Sequence, residues 1–239
     1  MPGTSLLILE VRDENKREAR FSALDFSQHK FIWKDKIFDE PWWIGLSGAT
    51  SNVLLLHVFE SMDNPDQKSL MAWHIHDQKV LWKLDHFSFD HLEGDLLYGT
   101  FMEGEDGIRA IEILSGKIVE NVRPSSNFTE NIMLQKPFQY VDGNVHFETV
   151  KSFLTSRLNV LPVMGVEYLE FKHLIFISYQ LQQENLANYL VVFSEAGDLV
   201  HQEKLGDRLK GLGLDTFFIL SGFLFFVRNK SELISYRIV

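Results

Sequence analysis

The chain predicts an all-β fold: a single β-propeller of about six, alternatively five, four-stranded blades with degenerate repeats, spanning residues 1–239 as one domain. Three observations carry that expectation. A ten-residue frame recurs along the sequence. The strands inside it are apolar on both faces. The frames return at intervals of ~40 residues, the usual length of a four-stranded blade.

The frame joins Ala23 to Trp33 and Ala72 to Trp82, and the same spacing joins Ala110 to Glu120 and Val191 to His201. Its seventh position holds Lys30, Lys79, Lys117 and Asp198. The eighth and ninth are always apolar: Phe31-Ile32, Val80-Leu81, Ile118-Val119 and Leu199-Val200. A fixed period outranks local signals, because each repeat is one supersecondary unit whose apolar faces its neighbours bury. Ala23, Ala72, Ala110, Val191 and Ser235 anchor five units. The interval from Ala110 to Val191 is nearly double the others. A degenerate unit in residues 124–164 fills it and gives six units averaging ~42 residues; without it there are five units and an insertion.

Each unit opens on an apolar strand: Leu6–Glu10, Val53–Phe59, Leu96–Met102, Leu174–Leu181 and Phe223–Val227. The strand carrying the small residue follows. Phe21, Ala23, Leu24 and Phe26 are apolar on both faces, as are Leu70, Ala72, Trp73 and Ile75. A strand with one wet face would alternate, so these need cover on both sides, as blades around an axis provide. The turns Ser115-Gly116-Lys117 and Ala196-Gly197-Asp198 then place glycine where a positive φ is needed. The outer strand closes the unit. The first unit lacks its inner strand, and the last, at Ser235-Tyr236-Arg237, lacks its outer one. The segment 217–227 reads as two buried strands around Ser221-Gly222 and is too short to cross a bilayer. Residues Glu148 to Leu158 read as a short helix, since Val150, Phe153, Leu154 and Leu158 fall near a 3.6 period.

The frame as a whole has a small residue, an acid at offset two, Ser or Thr at five, Gly at six, Lys at seven and Trp at ten. It resembles the tryptophan-docking repeat of quinoprotein-like β-propellers. Asp25 and Glu112 hold the acid position, while His74 and Phe193 depart from it. Ser115-Gly116-Lys117 fits best, although its unit ends in Glu120. The resemblance implies that Trp33 and Trp82 are structural rivets packed over a neighbouring blade. It implies no cofactor. Pyrroloquinoline-quinone dehydrogenases are similar only in the repeat, and their typical site includes a vicinal cysteine pair that this chain lacks. The whole chain also resembles a bacterial family filed as a domain of unknown function, on Leu9-Glu10-Val11-Arg12-Asp13, Pro41-Trp42-Trp43, Val166-Glu167-Tyr168-Leu169-Glu170 and Ile177-Ser178-Tyr179. That resemblance implies no activity.

Composition narrows the function classes. The net charge of −10 disfavours nucleic acid, whose binding rests on basic residues that displace counterions, and it disfavours anionic membranes. With no cysteine, disulfides, thiolate metal sites and cysteine nucleophiles are excluded, and no oxidising compartment is implied. Met1 to Val11 lacks a basic segment and carries Glu10 within its apolar run, so it does not read as a signal peptide. A cytoplasmic monomer is expected.

Several side chains are candidates for chemistry or binding. Arg12 could clamp a carboxylate or phosphate, or pair with Asp13 or another acid and hold the seam of the fold. Trp42 and Trp43 follow Glu40-Pro41. On a strand they would point to opposite faces, one into the core and one to a rim where it could stack on a sugar or a partner. Tyr168 and Tyr179 are similar, with hydroxyls that need partners. His74 and His76 on one strand face, with His57 from the neighbouring strand, would give three nitrogens for zinc; position in the repeat explains the pair equally well. The acidic loop Glu103-Gly104-Glu105-Asp106-Gly107 could hold calcium but lacks the spaced pattern of a calcium loop. No Gly-x-Ser-x-Gly, Gly-rich phosphate loop or His-Glu-x-x-His occurs. The leading expectation is a noncatalytic scaffold that binds a protein or small-molecule partner, without a cofactor. The alternative is a metal-dependent hydrolase or lactonase with a site in a central channel, drawing on Asp95, Asp142, Asn144, Glu167 and Asp215. A third reading is a small-molecule or glycan binder that uses rim aromatics.

Overall fold

The computed structural model describes residues 5–61, 63–64, 67–102, 107–122 and 134–239. The chain divides into two compact units, residues 1–130 and 131–239.

Three antiparallel meanders make up the first unit. The first is β1 (Leu6–Asp13), β2 (Glu18–Asp25) and β3 (Lys30–Lys36). The second is β4 (Ile44–Ala49), β5 (Val53–Phe59), β6 (Lys68–His74) and β7 (Lys79–Leu84). The third is β8 (Phe87–Glu93), β9 (Leu96–Phe101), β10 (Arg109–Glu112) and β11 (Ile118–Val119).

The ten-residue frame is a bulged hairpin. Ala23 stands opposite Trp33 and Ala72 opposite Trp82, and in both hairpins the register slips immediately after the alanine. The extra residue of such a bulge sharpens the local twist. Four turns take a left-handed residue at the sixth position: His29 (φ 51°), Gln78 (φ 54°), Gly116 (φ 70°) and Gly197 (φ 82°).

The outer-strand tryptophans join successive sheets. Trp33 Nε1 donates to the Ile75 carbonyl at 2.9 Å, and Trp82 Nε1 donates to the Ile113 carbonyl at 2.8 Å. Each acceptor lies three residues beyond the anchor alanine of the next sheet. Around the first contact Leu6, Phe21, Ala23 and Trp33 pack on Ile44, Leu54, Leu56 and Trp73. Around the second Val53, Leu55, Leu70 and Ala72 pack on Phe87, Leu97 and Ile111. The middle sheet is therefore covered on both faces, which is why β6 is apolar on both.

Gly116 sits directly beneath the second rivet. A Cβ there would lie 2.6 Å from Trp82 Cγ, at a positive φ. Replacing Gly116 by alanine should cost about 1–3 kcal/mol by displacing that ring and straining the turn. Urea denaturation of the variant measures it, and an unchanged midpoint contradicts the packing.

The second unit holds β12 (Leu134–Gln135), β13 (Phe138–Val141), helix α1 (Val145–Leu158), β14 (Val163–Phe171), β15 (Leu174–Gln182), β16 (Leu186–Ser194), β17 (Leu199–Gly206), β18 (Phe217–Leu220), β19 (Phe223–Arg228) and β20 (Glu232–Arg237). Strands β13 to β17 form a five-stranded sheet in sequence order, and β12 pairs with β18 at the edge of a four-stranded sheet. One face of the large sheet packs Leu169, Phe176, Leu190 and Val192 on Phe217, Ile219, Leu224 and Phe226 of the small one. The other face carries α1 through Phe147, Val150 and Leu154. The β18–β19 turn has Ser221 (φ 50°) and Gly222 (φ 79°), the two positive φ values of a type I′ hairpin.

These sheets correct the expected ring. The described strands form five separate antiparallel sheets of three to five strands, none closed or propeller-like, so the chain is not a single propeller of six or five blades. The physical reason lies in what the repeat encodes. A bulged hairpin is local, and its doubly apolar strand is satisfied by any cover on both faces. Stacked sheets provide that cover in the first unit; a helix and a sheet provide it in the second. No blade occupies residues 134–164 of the expected degenerate unit. There β12 and β13 join different sheets and α1 follows, while residues 124–133 lie outside the described residues. Among the described residues no helix is long and apolar enough to cross a membrane.

Candidate functional site

Helix α1 begins at Asn144, whose Oδ1 accepts from the His146 amide at 2.8 Å, and ends at Asn159 in the left-handed conformation. An Asn cap satisfies one of the orphan amides of the first turn. The buried stripe Phe147, Val150 and Leu154 sets the rotation of the helix on the five-stranded sheet. That rotation turns His146, Thr149, Val150 and Phe153 toward Tyr140 of β13, Tyr168 of β14 and Ile175 and Ile177 of β15. The eight side chains line a partly open pocket of about 330 Å³. Its size and its lining of aromatic and aliphatic groups with few polar atoms are those of a small-ligand site.

The aromatic rings are arranged as a wall and a corner. Tyr140 and His146 lie 4.9 Å apart between centroids, and Tyr140 and Tyr168 lie 6.5 Å apart. Phe153 meets Phe193 edge-on at 4.9 Å. Two of the four polar side chains are committed within the protein. Tyr168 donates its hydroxyl to the Glu170 carboxylate, and Thr149 donates to the Val145 carbonyl at 3.0 Å. Burial, and then the contact with Glu170, raise the Tyr168 hydroxyl well above the ordinary phenol range. It therefore stays protonated and donating. Tyr179 belongs to the core behind the pocket, stacked on Tyr189 at 5.6 Å, and burial pushes its hydroxyl up to about 12.

A second polar cluster occupies the opposite face of the sheet. Glu167 is only 3% exposed. It accepts from the Thr216 amide at 3.0 Å and bonds the Thr216 hydroxyl. Thr216 Oγ1 reaches Ser178 Oγ at 2.7 Å, and Ser178 Oγ donates to Asn188 Oδ1 at 3.1 Å. Three oxygen–oxygen links thus share two hydroxyl protons. The Thr216 hydroxyl donates to the Glu167 carboxyl. Burial raises this carboxyl above its ordinary value of 4.5. The cluster pins the segment before β18, with Lys136–Asp215 at 2.7 Å and Gln139 Nε2 donating to Gly213 O at 3.1 Å.

The sign of the linkage follows from that shift. A carboxyl raised on folding binds its proton more tightly in the native state. Its stabilising contribution is present at acid pH and is lost as pH rises from about 4.5 through the folded value. Replacing Glu167 by glutamine, which keeps the side-chain size and does not titrate, should flatten that dependence. Denaturation midpoints of both proteins across the acid range measure it. A difference between the proteins that does not grow with pH contradicts a raised Glu167 carboxyl.

The other sequence-predicted residues have structural partners. Arg12 pairs with Glu10 at 2.6 Å rather than with Asp13, donates to the carbonyls of Trp42 and Ile44, and lies over the Trp42 ring at 5.3 Å. Glu10 in turn accepts from the Leu46 amide at 2.8 Å. The cluster staples β1 to β4. Asp13 caps its own turn, accepting from the Asn15 and Lys16 amides at 3.1 Å. Replacing Arg12 by lysine should cost about 1–2 kcal/mol, since an ammonium cannot satisfy both carbonyls and the carboxylate in one plane. Thermal melting measures it, and a loss within error contradicts the staple.

Trp42 and Trp43 lie in the bend before β4 and not on a strand. Both are half-buried, with amides donated to Glu40 Oε1, and Trp43 meets Phe59 edge-on at 6.3 Å. Neither is wholly core or wholly rim, because the Glu40 turn replaces the extended strand that would split them.

The three histidines are not brought together. His74 stands opposite Val53 and His57 opposite Leu70. His57 is thus four residues along β5 from the His74 position, ~13 Å at strand rise. His57 instead contacts Ser47 Oγ at 2.9 Å, and burial lowers its ring below the ordinary range. His76 lies in the turn after β6, and His74 accepts the Asp77 amide at 3.0 Å. Among the described residues no three His, Asp or Glu side chains gather where they could share a metal ion. Residues 103–106 of the acidic loop lie outside the described residues.

The channel acids do not converge, since there is no ring axis for them to line. Asp95 is on the exposed β8–β9 turn of the first unit. Asp142 is exposed after β13, and Asn144 is the helix cap. Only Glu167 and Asp215 become neighbours, through Thr216.

Tyr168 was legible as a site candidate from sequence. Tyr140, His146, Thr149 and Phe153 were not. The apolar stripe at Val150, Phe153 and Leu154 announced a helix, but nothing announced which strand it would cover.

Residues 1–82 match the family model of a domain of unknown function, DUF4905. The match supports the resemblance to an uncharacterised family over a stretch that contains Leu9-Glu10-Val11-Arg12-Asp13 and Pro41-Trp42-Trp43. It covers neither the helix–sheet pocket nor the Glu167 cluster. No curated protein matches the chain.

Proposed function

We propose that this protein is a noncatalytic binding scaffold whose ligand is a small, largely apolar molecule seated between α1 and the five-stranded sheet. The observation that carries the reading is the cavity of about 330 Å³ walled by Tyr140, Phe153, Tyr168 and aliphatic side chains. The size of this partly open pocket and its aromatic, largely apolar lining support a place for a small ligand. The committed hydroxyls of Thr149 and Tyr168 support binding without turnover, since neither is poised as a nucleophile. The absence of cysteine supports a cytoplasmic setting.

Calorimetric titration of the full-length protein with indole, alongside a Thr149→Trp variant, tests the reading. Thr149 is an exposed helix residue at the pocket mouth, so an indole side chain there fills the space without disturbing the buried stripe. Saturable binding that falls at least ~10-fold in the variant is expected. Equal binding by the two proteins, with circular dichroism unchanged, overturns the reading. Tryptophan quenching is not a usable readout for the native site, because all five tryptophans lie in residues 33–82.

A further inference from the structure

The pocket's chemistry narrows its ligand further, on the reading just given. Three aromatic rings, Tyr140, Phe153 and Tyr168, and the His146 ring line it. The face of an aromatic ring carries negative potential and attracts cations, most strongly those too alkylated to be well hydrated. The carboxylate of Glu170 stands next to the lining, joined to it through Tyr168. Several acids of the second unit pair with cations: Glu203 and Glu232 with Arg228 at 3.1 and 2.8 Å, and Asp215 with Lys136 at 2.7 Å. Among the described residues Glu170 has no cationic partner; it accepts the Tyr168 hydroxyl instead. The chain's net charge of −10 adds no competing positive field. Two basic side chains of α1 lie over phenylalanine rings. Lys151 lies over Phe147 at 5.2 Å, and Arg157 lies over Phe153 at 5.9 Å and against the turn at Gly197.

The donor inventory is short. An anionic ligand needs hydrogen-bond donors or a positive charge; the Tyr168 and Thr149 hydroxyls are spent within the protein, which leaves the Tyr140 hydroxyl and the His146 ring. A tetra-alkylated ammonium needs neither. It needs π faces, an apolar enclosure and a carboxylate within reach, without a demand for directional bonds.

We propose that the pocket takes an alkylated ammonium group, held on the faces of Tyr140 and Tyr168 and balanced by the carboxylate of Glu170. A free small metabolite and a methylated lysine side chain share this chemistry. The pocket volume of about 330 Å³ accommodates either headgroup.

The test compares choline with its neutral isostere 3,3-dimethylbutan-1-ol on the full-length protein, followed by methyl NMR shifts of Ile175 and Ile177. Choline is expected to bind at least ~10-fold more tightly than the isostere. Glu170→Gln is expected to weaken choline several-fold and leave the isostere unchanged, while a purely structural role for Glu170 would weaken both alike. A trimethyllysine peptide decides the source: tighter binding than choline assigns a methylated protein, and weaker binding assigns a free metabolite. Equal affinity for choline and the isostere overturns the cation assignment. So does failure of choline to bind at millimolar concentration; if indole still binds and Thr149→Trp still blocks it, the pocket reading survives that failure.

Discussion

Replacing Trp33 by alanine should cost about 3–5 kcal/mol of stability, the range for a large aromatic removed from a packed interior. The ring is 8% exposed and meets Trp73 edge-on at 5.1 Å. Its Nε1 satisfies the Ile75 carbonyl at 2.9 Å, in the chain just past β6. Two losses therefore add: the apolar contact between the first two sheets, and the partner of a buried carbonyl. Trp33→Phe separates them. Phenylalanine keeps most of the ring and loses the donor, so it should cost about 1–2 kcal/mol. Urea denaturation followed by far-ultraviolet circular dichroism reads both. A loss below 1 kcal/mol for the alanine variant would mean that the two sheets do not depend on the rivet.

Phe147→Ala should produce a similar loss, about 3–5 kcal/mol, with a different consequence. Phe147 is fully buried against the core that includes Val166, Ile177 and Phe193. A 14-residue helix is marginal alone in water, so α1 owes its persistence to this packed face. Because the helix is one wall of the pocket, loosening it should remove ligand binding along with stability. Stability lost with ligand affinity retained would show that the pocket does not depend on the docked helix.

Much of the local structure was legible in the sequence. The strands starting at Leu6, Val53, Leu96, Leu174 and Phe223 begin at those residues, and the Ser221-Gly222 hairpin forms as its residues require. The pairs Ala23–Trp33 and Ala72–Trp82 meet across their hairpins because two alanines and two tryptophans mark one bulge geometry. The frame blurs where those markers are absent: Ala110 faces Val119 rather than Glu120, and Val191 faces Gln202 rather than His201. The left-handed turn was visible at Gly116 and Gly197 and hidden at His29 and Gln78, since residues with a Cβ seldom take that conformation.

Assembly was less legible. Leu134-Gln135 is too short to signal a strand, yet it pairs with Leu220 and Ile219 far along the chain. No period announces a contact of that sequence separation. The pocket was hidden for a related reason. It depends on β13, four residues without strong alternation, and on a helix that starts at Val145, three residues before the expected Glu148, because Asn144 caps it there.

The measurement that bears most directly on the binding reading is a methyl NMR titration of the full-length, isoleucine-labelled protein with indole. Ile175 and Ile177 line the cavity, whereas Ile219 and Ile234 belong to the core on the other face of the five-stranded sheet. The account predicts saturable shifts at Ile175 and Ile177 with Ile219 and Ile234 unmoved. Shifts spread evenly over all four, or none that saturate, would contradict a ligand site between α1 and the sheet.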